Sequence, residues 1–304
     1  MKKLSITLLA FVLALGCALT LSACGSTVKI EFIYTLNDDG ESYAITGAKF
    51  NGEDFQPMKH KDKMPEEVTV PAEHDGKPVT VIKHMYDGDN VKKVNLPDSI
   101  VEIGEFAFSH YSSITSIKIG DNVEKIGGSA FKGIATLETV EFGENSKLKE
   151  LGTQAFAGTG LKTFKAPAML ELQKSVQMTS IDLSESMFEN CTALETIDFS
   201  AMNSFVNLGS RFAYNCTSLK TVILPNHSIK ISPRAFDKGT ADKTTLYMCA
   251  LELEGAGKIS YMFGDELGIN DCAFIGNIYF YSETAPTNNV SNWWHYVDGV
   301  PTKW

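Results

Sequence analysis

Six histidines and six cysteines are among the residues of this chain that could serve as a base, a nucleophile or a metal ligand. No HExxH, GxSxG or phosphate-loop pattern surrounds the histidines, which are His60, His74, His84, His110, His227 and His295. No CxxC pair occurs, so a zinc site is not indicated. The stretch YDGDN, Tyr86–Asn90, hints at calcium but lacks the remaining ligands of a calcium loop, and a polar turn explains it more simply. The sequence therefore predicts no enzyme, no metal site and no cofactor.

One cysteine stands in a pattern with a definite chemistry, which is lipid attachment. The chain opens with two lysines, an uncharged apolar run and then small residues, the layout of a secretory signal peptide. This opening segment closes with LSAC, residues 21–24, which resembles the lipobox of bacterial lipoproteins. The resemblance implies cleavage before Cys24, lipid on Cys24 and anchoring to the outer face of a membrane. Cys17 is a weaker match, and a plain signal peptide with secretion is the alternative.

The charge balance bears on possible partners. Removing Lys2 and Lys3 with the signal peptide leaves 25 basic against 37 acidic residues, a formal charge of −12. A strongly acidic protein is repelled by phosphate backbones and anionic lipid surfaces. We therefore expect no nucleic-acid partner and no membrane contact beyond the anchor.

The internal cysteines leave two alternatives open. Cys191 and Cys216 lie 25 residues apart, each in the sequence NCT, and such cysteines are more often small core residues or a stacked thiol pair than a nucleophile. An exported protein can form disulfides, but the density of a disulfide scaffold is missing. The sequence does not decide whether Cys191 pairs with Cys216, or Cys249 with Cys272.

An Ala-Phe pair recurs along the chain and defines a repeat. Taking its second residue as the origin, the successive origins are Phe108, Phe131, Phe156, Phe188, Ala213 and Phe236, separated by 23, 25, 32, 25 and 23 residues. The residue five positions earlier is always apolar: Ile103, Ile126, Leu151, Leu183, Leu208 and Ile231. The next residue is always small: Gly104, Gly127, Gly152, Ser184, Gly209 and Ser232. A fixed period in the twenties is typical of a solenoid, whose units bury their apolar faces by stacking.

After each origin, alternating apolar residues predict a short strand. Such strands are expected around Val94, Ile117, Val140, Phe164, Ile197, Val222, Leu246 and Ile278. At one origin Phe212 and Ala213 have exchanged places, which suggests that the pocket requires the summed volume of the pair more than a fixed order.

These columns, with LPDSIVEIGEFAF and NCTSLKTVILP, are similar to the BspA-like leucine-rich repeat family of bacterial surface proteins. The resemblance covers roughly Glu67 to Trp304. It implies a leucine-rich-repeat solenoid, mainly β, with one short parallel strand per turn and short helical or 3-10 turns. It also implies surface attachment and contact with a host or matrix, without enzymatic activity.

The predicted domains follow from these patterns. Residues 1–23 form the signal peptide, 24–66 the anchor and a β-hairpin cap, 67–280 the solenoid, and 281–304 a C-terminal aromatic cap. The hairpin is indicated by alternating apolar residues on either side of Asn37–Gly40.

The outward side of the strands is where a ligand could bind. Eight positions after the origin stand hydroxyl residues: Ser116, Thr139, Thr163, Thr196 and Thr221. Charges of alternating sign occupy two further columns: Glu138, Lys162, Glu195 and Lys220 in one, and Lys118, Glu141, Lys165 and Asp198 in the other. We expect both charge columns to be satisfied by neighbouring coils, setting register and solubility, with a charged ligand groove as the alternative.

Two departures from the repeat are further candidates. The insertion Ala166–Ser180 carries Met169, Leu172 and Val176 at helical spacing, which predicts a short edge helix or, alternatively, a recognition loop. In the tail, Trp293 and Trp294 are candidate ligand-binding residues that could stack on sugars, although capping the last coil explains them more simply.

Two functions remain in view. The first is a lipid-anchored leucine-rich-repeat protein that binds an extracellular protein or glycan in adhesion or recognition. The second is an envelope scaffold lipoprotein without a host ligand. The sequence names neither the ligand nor the oligomeric state.

Overall fold

The chain folds into a solenoid of short parallel strands. The computed structural model describes residues 19–23, 26–54, 64–85, 88–171, 185–203, 206–225, 229–231, 235–236, 244–248, 277–281, 293–297 and 300–303. In chain order the strands are β1 (Leu19–Ala23), β2 (Ser26–Leu36), β3 (Tyr43–Phe50), β4 (Glu53–Asp54), β5 (Glu67–Thr69), β6 (Glu73–His74), β7 (Lys77–Ile82), β8 (Lys93–Asn95), β9 (Glu102–Ile103), β10 (Ser116–Ile119), β11 (Lys125–Ile126), β12 (Thr139–Phe142), β13 (Glu150–Leu151), β14 (Thr163–Lys165), β15 (Thr196–Asp198), β16 (Val206–Leu208), β17 (Thr221–Leu224), β18 (Ile229–Ile231), β19 (Thr245–Met248), β20 (Asn277–Tyr281), β21 (Trp293–Val297) and β22 (Val300–Lys303).

One strand of each coil lies in a row that we call the front strands: β5, β8, β10, β12, β14, β15, β17, β19 and β20. Adjacent front strands pair in parallel, with β5 on β8, β10 on β12, and an unbroken series from β14 to β20. Single backbone bonds bridge the breaks, as where the Lys162 N–H donates to the Glu138 carbonyl oxygen at 3.4 Å. The prediction of one short parallel strand per turn is confirmed, at all eight predicted positions.

A second row, the back strands β7, β9, β11, β13, β16 and β18, was not predicted. Here the apolar column five residues before the origin pairs in parallel, Ile103 with Ile126 and Ile126 with Leu151. Except for β7, these segments are only two or three residues long, too short for an alternating pattern to reveal them. Each coil therefore buries its apolar residues between two rows of strands.

The Ala-Phe pair lies in a turn that hydrogen-bonds to the following coil. The Phe108 N–H donates to the Ala130 carbonyl at 2.8 Å, and the Phe131 N–H donates to the Ala155 carbonyl at 2.9 Å. Two residues before the first five origins the backbone is left-handed, with φ between 53° and 57° at Phe106, Ser129, Gln154, Ser186 and Arg211. That conformation turns the amides outward along the solenoid axis.

The expected short turns are present within the described residues, as hydrogen-bonded turns and not as helices. A left-handed residue cannot continue a right-handed helix, because its backbone turns the following peptide out of the helical hydrogen-bond direction. The amides that a helix would use internally, such as those of Ser129 and Phe131, instead donate to the next coil.

The phenylalanines of the pair stack through the core. Successive rings of Phe108, Phe131, Phe156 and Phe188 lie 5.2, 5.4 and 6.1 Å apart and within 10° of parallel. At the exchanged pair, Phe212 meets Phe188 edge-on at 5.4 Å and 88°. Phe212 and Ala213 are both fully buried, so the core changes from stacked to edge-on rings where the order is reversed.

The N-terminal hairpin cap is confirmed. Strands β2 and β3 pair antiparallel, and β3 continues in parallel onto β7, so the hairpin covers the first back strand. Its turn is closed by the Asp39 carboxylate, which accepts hydrogen bonds from the N–H groups of Glu41 and Ser42 and from the Ser42 hydroxyl. These bonds, chiefly that from Glu41, lower the pKa of Asp39.

At the C-terminal end, β21 adds in parallel to β20, and β22 folds back antiparallel on β21. The backbone thus closes the front row with a hairpin in the region where an aromatic cap is expected. The side chains of Trp293 and Trp294 lie outside the described part, so the sealing of the last coil by these tryptophans stays a prediction.

The small column before each origin allows adjacent coils to approach closely. A Cβ placed on Gly127 would lie 2.5 Å from the Glu105 backbone nitrogen, and one on Gly104 would lie 2.8 Å from the Ile82 carbonyl oxygen. Real Cβ atoms do not approach backbone this closely, so the glycines set the coil spacing.

We therefore expect Gly127→Ala to lower the free energy of unfolding by about 1 to 3 kcal/mol, because two coils must move apart. Gly120→Ala is the matched control, since its Cβ would meet only the Asp98 carboxylate at 3.8 Å. Urea unfolding of both variants tests this, and equal stability of the two would contradict the packing role.

Arg211 joins two neighbouring turns by an ion pair. Its guanidinium donates to the carboxylate of Glu189, whose side chain is only 13% exposed, and lies 4.2 Å over the Tyr214 ring. This hydrogen bond is the main reason that the pKa of Glu189 lies below its ordinary value.

A carboxyl group whose pKa is lower in the folded state stabilises the fold at pH values above the pKa that it has in the unfolded chain. This stabilisation is lost as the pH falls through the pKa of the folded state. At pH 7 we expect Glu189→Gln to lower the free energy of unfolding by about 1 kcal/mol. At pH 3 the deficit relative to wild type should shrink, because acid protonates Glu189 in the wild type. Urea unfolding at both pH values measures this, and an unchanged deficit would show that the ionised carboxylate is not responsible.

Candidate functional site

The outward side of the front strands carries an in-register column of hydroxyl groups. Ser116 stands opposite Thr139. A continuous series then runs through Thr163, Thr196, Thr221 and Thr245. The first three hydroxyl residues are exposed and the later ones half-buried. The predicted hydroxyl column is thus present, and it extends one coil further than expected.

The charge column just before the hydroxyls is satisfied internally. Its ion pairs join Glu66 to Lys92 at 2.7 Å, Glu138 to Lys162 at 2.6 Å and Glu195 to Lys220 at 2.8 Å. All six side chains are at least half exposed, so each pair contributes at most about 1 kcal/mol. For this column the prediction of self-satisfaction is correct.

The first coils add a similar network. The Glu67 carboxylate accepts hydrogen bonds from Lys93 at 2.9 Å and from the Asn95 amide at 2.7 Å. These bonds, with Asn95 first, lower the pKa of Glu67. The N-terminal end of the front face is therefore occupied by contacts within the chain.

The charge column after the hydroxyls behaves differently. Lys118 stands opposite Glu141 and Lys165 opposite Asp198 in the strand register. All but Asp198 are exposed, yet no ion pair within 4 Å joins any of these four to another described residue. The prediction of self-satisfaction is wrong here, because register brings the backbones together while these long side chains extend into solvent.

The same column closes at its C-terminal end. Ile223 and Tyr247 continue it on β17 and β19, and both point away from the inward Val222, yet they are only 4% and 8% exposed. The front face is thus covered there. The open part lies on β10, β12, β14 and β15, and we call it the open front surface.

The open front surface offers hydroxyl, amine and carboxylate groups, which can form hydrogen bonds and ion pairs. Its outward residues are Ser116, Lys118, Thr139, Glu141, Thr163, Lys165, Thr196 and Asp198. Within the part of the chain that the structure describes, no three His, Cys, Asp or Glu side chains form a group that could hold a metal ion. The arrangement is suited to binding.

Cys191 and Cys216 are free, fully buried thiols. The Cys191 thiol donates to the Phe156 carbonyl at 3.1 Å, and the Cys216 thiol donates to the Phe188 carbonyl at 3.0 Å. Burial raises the pKa of the Cys191 thiol, which disfavours the reactive thiolate. Cys191 and Cys216 are therefore small core residues and do not form a disulfide with each other. Cys249 and Cys272 lie outside the described residues.

Other predicted positions fall partly outside the described residues. Cys24, Leu172 and Val176 lie beyond the described ranges, so neither lipid attachment nor the edge helix is tested. Met169 is 50% exposed in a turn at the start of the insertion. Trp293 and Trp294 lie next to each other on β21, at a distance along the row from the open front surface. Among the described residues no helix has the length and apolarity to cross a membrane.

Sequence reasoning missed an exposed aromatic residue on the back. Phe106 is 46% exposed and left-handed, with φ 56°, where other coils carry Ser129, Gln154 or Arg211. A bulky residue in this conformation is unusual. In the sequence, Phe106 could have been noticed only because it is aromatic at a position where other coils carry a polar residue.

Comparison with known proteins now identifies the repeat. A model of the family described as BspA type leucine-rich repeat region, with six copies, matches residues 78–177 and 172–251. The chain belongs to this family. The predicted resemblance is thereby confirmed, and the matched ranges span the front strands β8 to β19. No curated protein matches the chain at a significant level.

Two solved structures of bacterial leucine-rich repeat proteins are similar to this chain. The T. pallidum leucine-rich repeat protein TpLRR is 21% identical with a TM-score of 0.51, covering 66% of this chain and 83% of its own. A leucine-rich repeat protein from Bacteroides ovatus is 18% identical with a TM-score of 0.41, covering 72% of this chain and 70% of its own. At this identity the likeness to TpLRR supports the leucine-rich-repeat fold alone.

The two charge columns should respond differently to neutralisation. Glu138→Gln removes the ion pair with Lys162, so we expect it to lower the free energy of unfolding by about 0.2 to 1 kcal/mol. Glu141→Gln removes no ion pair and should leave stability unchanged. Urea unfolding at low and high salt measures both, and the loss in Glu138→Gln should vanish in about 1 M salt. A larger loss in Glu141→Gln would mean that its column is structural.

Proposed function

We propose that this chain is an exported, lipid-anchored surface protein that recognises an extracellular protein ligand in adhesion or recognition. Its binding site is the open front surface. Family membership and the fold are compatible with a binding role. The observation that carries the proposal is the unpaired row of Lys118, Glu141 and Lys165 beside columns whose charges are paired.

Unpaired charges at the register spacing of a parallel sheet favour a ligand with complementary charges. Lys118, Glu141 and Lys165 alternate in sign from strand to strand, so a partner surface must present the opposite sequence of charges. Such complementarity gives specificity and raises association rates. The outward residues here include no aromatic side chain, which favours a protein over a neutral glycan, since sugars are commonly held by stacking on aromatic rings.

The proposed location rests on the N-terminal sequence. A lipid on Cys24 would anchor the chain two residues before β2 begins, with the solenoid projecting from the membrane. The formal charge of −12 after removal of residues 1–23 disfavours further contact with anionic lipid. The role that we propose is non-catalytic.

The test of binding is an array of host matrix proteins, glycans and envelope proteins of the producing cell, probed with the mature chain. Lys118→Gln, Glu141→Gln and Lys165→Gln combined should abolish binding to the protein ligand. The matched control, Glu138→Gln with Lys162→Gln, neutralises a paired set on neighbouring coils and should retain binding. Equal binding by both variants would overturn the proposed surface, and capture of envelope proteins alone would indicate a scaffold.

The test of location is the mass of the N-terminal peptide and the fractionation of the producing cells. We expect a lipid-modified Cys24 as the first residue and a membrane-bound protein, because acyl chains partition into the bilayer. Cys24→Ala should abolish the lipid modification. An unmodified N-terminus in the medium would leave secretion as the correct reading.

A further inference from the structure

The charge column on the open front surface has a pattern that is its own complement. Its signs run positive, negative, positive, negative along the solenoid, one charge on each of the four strands: Lys118, Glu141, Lys165 and Asp198. Read in the reverse order, the column carries the opposite charge at every position. A second copy of the surface, turned end to end, therefore presents the ion-pair partner that each charge lacks among the described residues of its own chain.

We propose that the partner recognised by the open front surface is a second copy of this chain. The inference rests on the proposed function, because it takes this surface as the binding site and Cys24 as the anchor. The two copies meet face to face about a two-fold axis that runs parallel to the strands, between β12 and β14. This axis places Glu141 opposite Lys165 of the second copy and Lys118 opposite Asp198, and it repeats each pair.

The charges select this arrangement over the other symmetric ones. If the copies slide by a single strand, Glu141 meets Glu141 of the second copy, or Lys165 meets Lys165. Sliding by two strands keeps only half of the ion pairs. If the two solenoids run in the same direction about a two-fold axis, every charge meets its own equivalent. Like charges placed opposite each other across an interface disfavour association, so the end-to-end arrangement with all four strands overlapping is preferred.

The hydroxyl column fits the same arrangement. The two-fold axis sets Ser116 opposite Thr196 of the second copy and Thr139 opposite Thr163. These side chains are short, and each hydroxyl can both donate and accept a hydrogen bond, so two such columns can face each other. The longer lysine and glutamate side chains extend from both sides into the space of about 10 Å between two facing sheets.

The same axis separates the two lipid anchors. Cys24 lies two residues before β2 in the sequence, and the hairpin that β2 forms with β3 covers the N-terminal end of the stack. Because the two solenoids run in opposite directions, their N-terminal ends lie at opposite ends of the pair. Each anchor therefore enters a different membrane. The adhesion that we propose is thus between two facing cells that carry the same protein.

The size of the surface determines how strong one such contact can be. Four strands about 4.8 Å apart, each three or four residues long, give a face of roughly 250 Å² per copy. A stable protein interface buries about 800 Å² per partner, so a single pair of chains binds weakly. Many pairs between two membranes act together, and self-recognition should therefore appear when the chain is displayed at high density.

The experiment couples the mature chain by its N-terminus to fluorescent beads and measures bead clustering. Wild-type beads should cluster. Glu141→Lys and Lys165→Glu should each reduce clustering by roughly tenfold or more, because each variant brings two pairs of like charges together beside the axis. Beads with Glu141→Lys mixed with beads with Lys165→Glu regain opposite charges at all four positions. This mixture should cluster, with contacts that join the two kinds of bead.

Glu150→Lys is the matched control, since it makes the same charge change at an exposed residue of the back strand β13, and it should cluster like wild type. Circular dichroism confirms that each variant is folded. Three results would overturn the inference: wild-type beads that stay dispersed, single variants that cluster undiminished, or a mixture that clusters no better than its components.

The beads also separate this inference from the proposed function. Coupling by the N-terminus replaces the lipid, so the result does not depend on modification of Cys24. Dispersed wild-type beads, together with an array ligand that is lost in the triple variant of Lys118, Glu141 and Lys165, would refute self-recognition and leave the proposed function standing.

Discussion

Each coil of this solenoid depends on hydrogen bonds from the turn amides to the coil that follows. A coil of about 25 residues is too small to bury its own apolar face, so its stability comes from its neighbours. Left-handed residues such as Ser129 and Gln154 turn the amides along the stacking direction, and the glycines at 127 and 152 let the backbones meet. The stacked phenylalanines then fill the space that this spacing leaves.

This constraint also determines what the surface can do. Strands held in register present outward residues in columns, so a charge on one coil has a fixed neighbour on the next. Where the side chains meet, as in the pair of Glu138 and Lys162, the column stabilises the stack and has little capacity left for a ligand. Where they do not meet, as at Lys118 and Glu141, the same geometry provides an ordered row of free charges.

Much of this architecture could be predicted because it repeats. The phenylalanine, hydroxyl and small-residue columns are each visible several times, and the structure confirms the strand positions and the hairpin. The left-handed position could not be predicted, since it holds Phe106, Gln154 and Arg211, which share no backbone preference for φ > 0. The back strands other than β7, with two or three residues each, were too short to give a pattern.

The candidate site was predicted less completely, for a physical reason. Sequence places charges in columns, but whether two side chains meet depends on rotamers, which register does not determine. Charge alternation looks the same at Glu138 and at Glu141, yet only Glu138 is paired. Ile223 and Tyr247 are likewise buried although they continue an outward column, and the sequence pattern does not show this.

Native-state hydrogen exchange tests most directly whether the coils are held by turn amides. Ser129, Phe131 and Gly133 lie in one turn and donate to Thr153, Ala155 and Ala157 of the next coil at 2.8 to 2.9 Å. If these bonds carry the stacking, the three amides exchange as slowly as those of the front strands, only on global unfolding. Exchange at the rate of exposed loop amides would contradict the account.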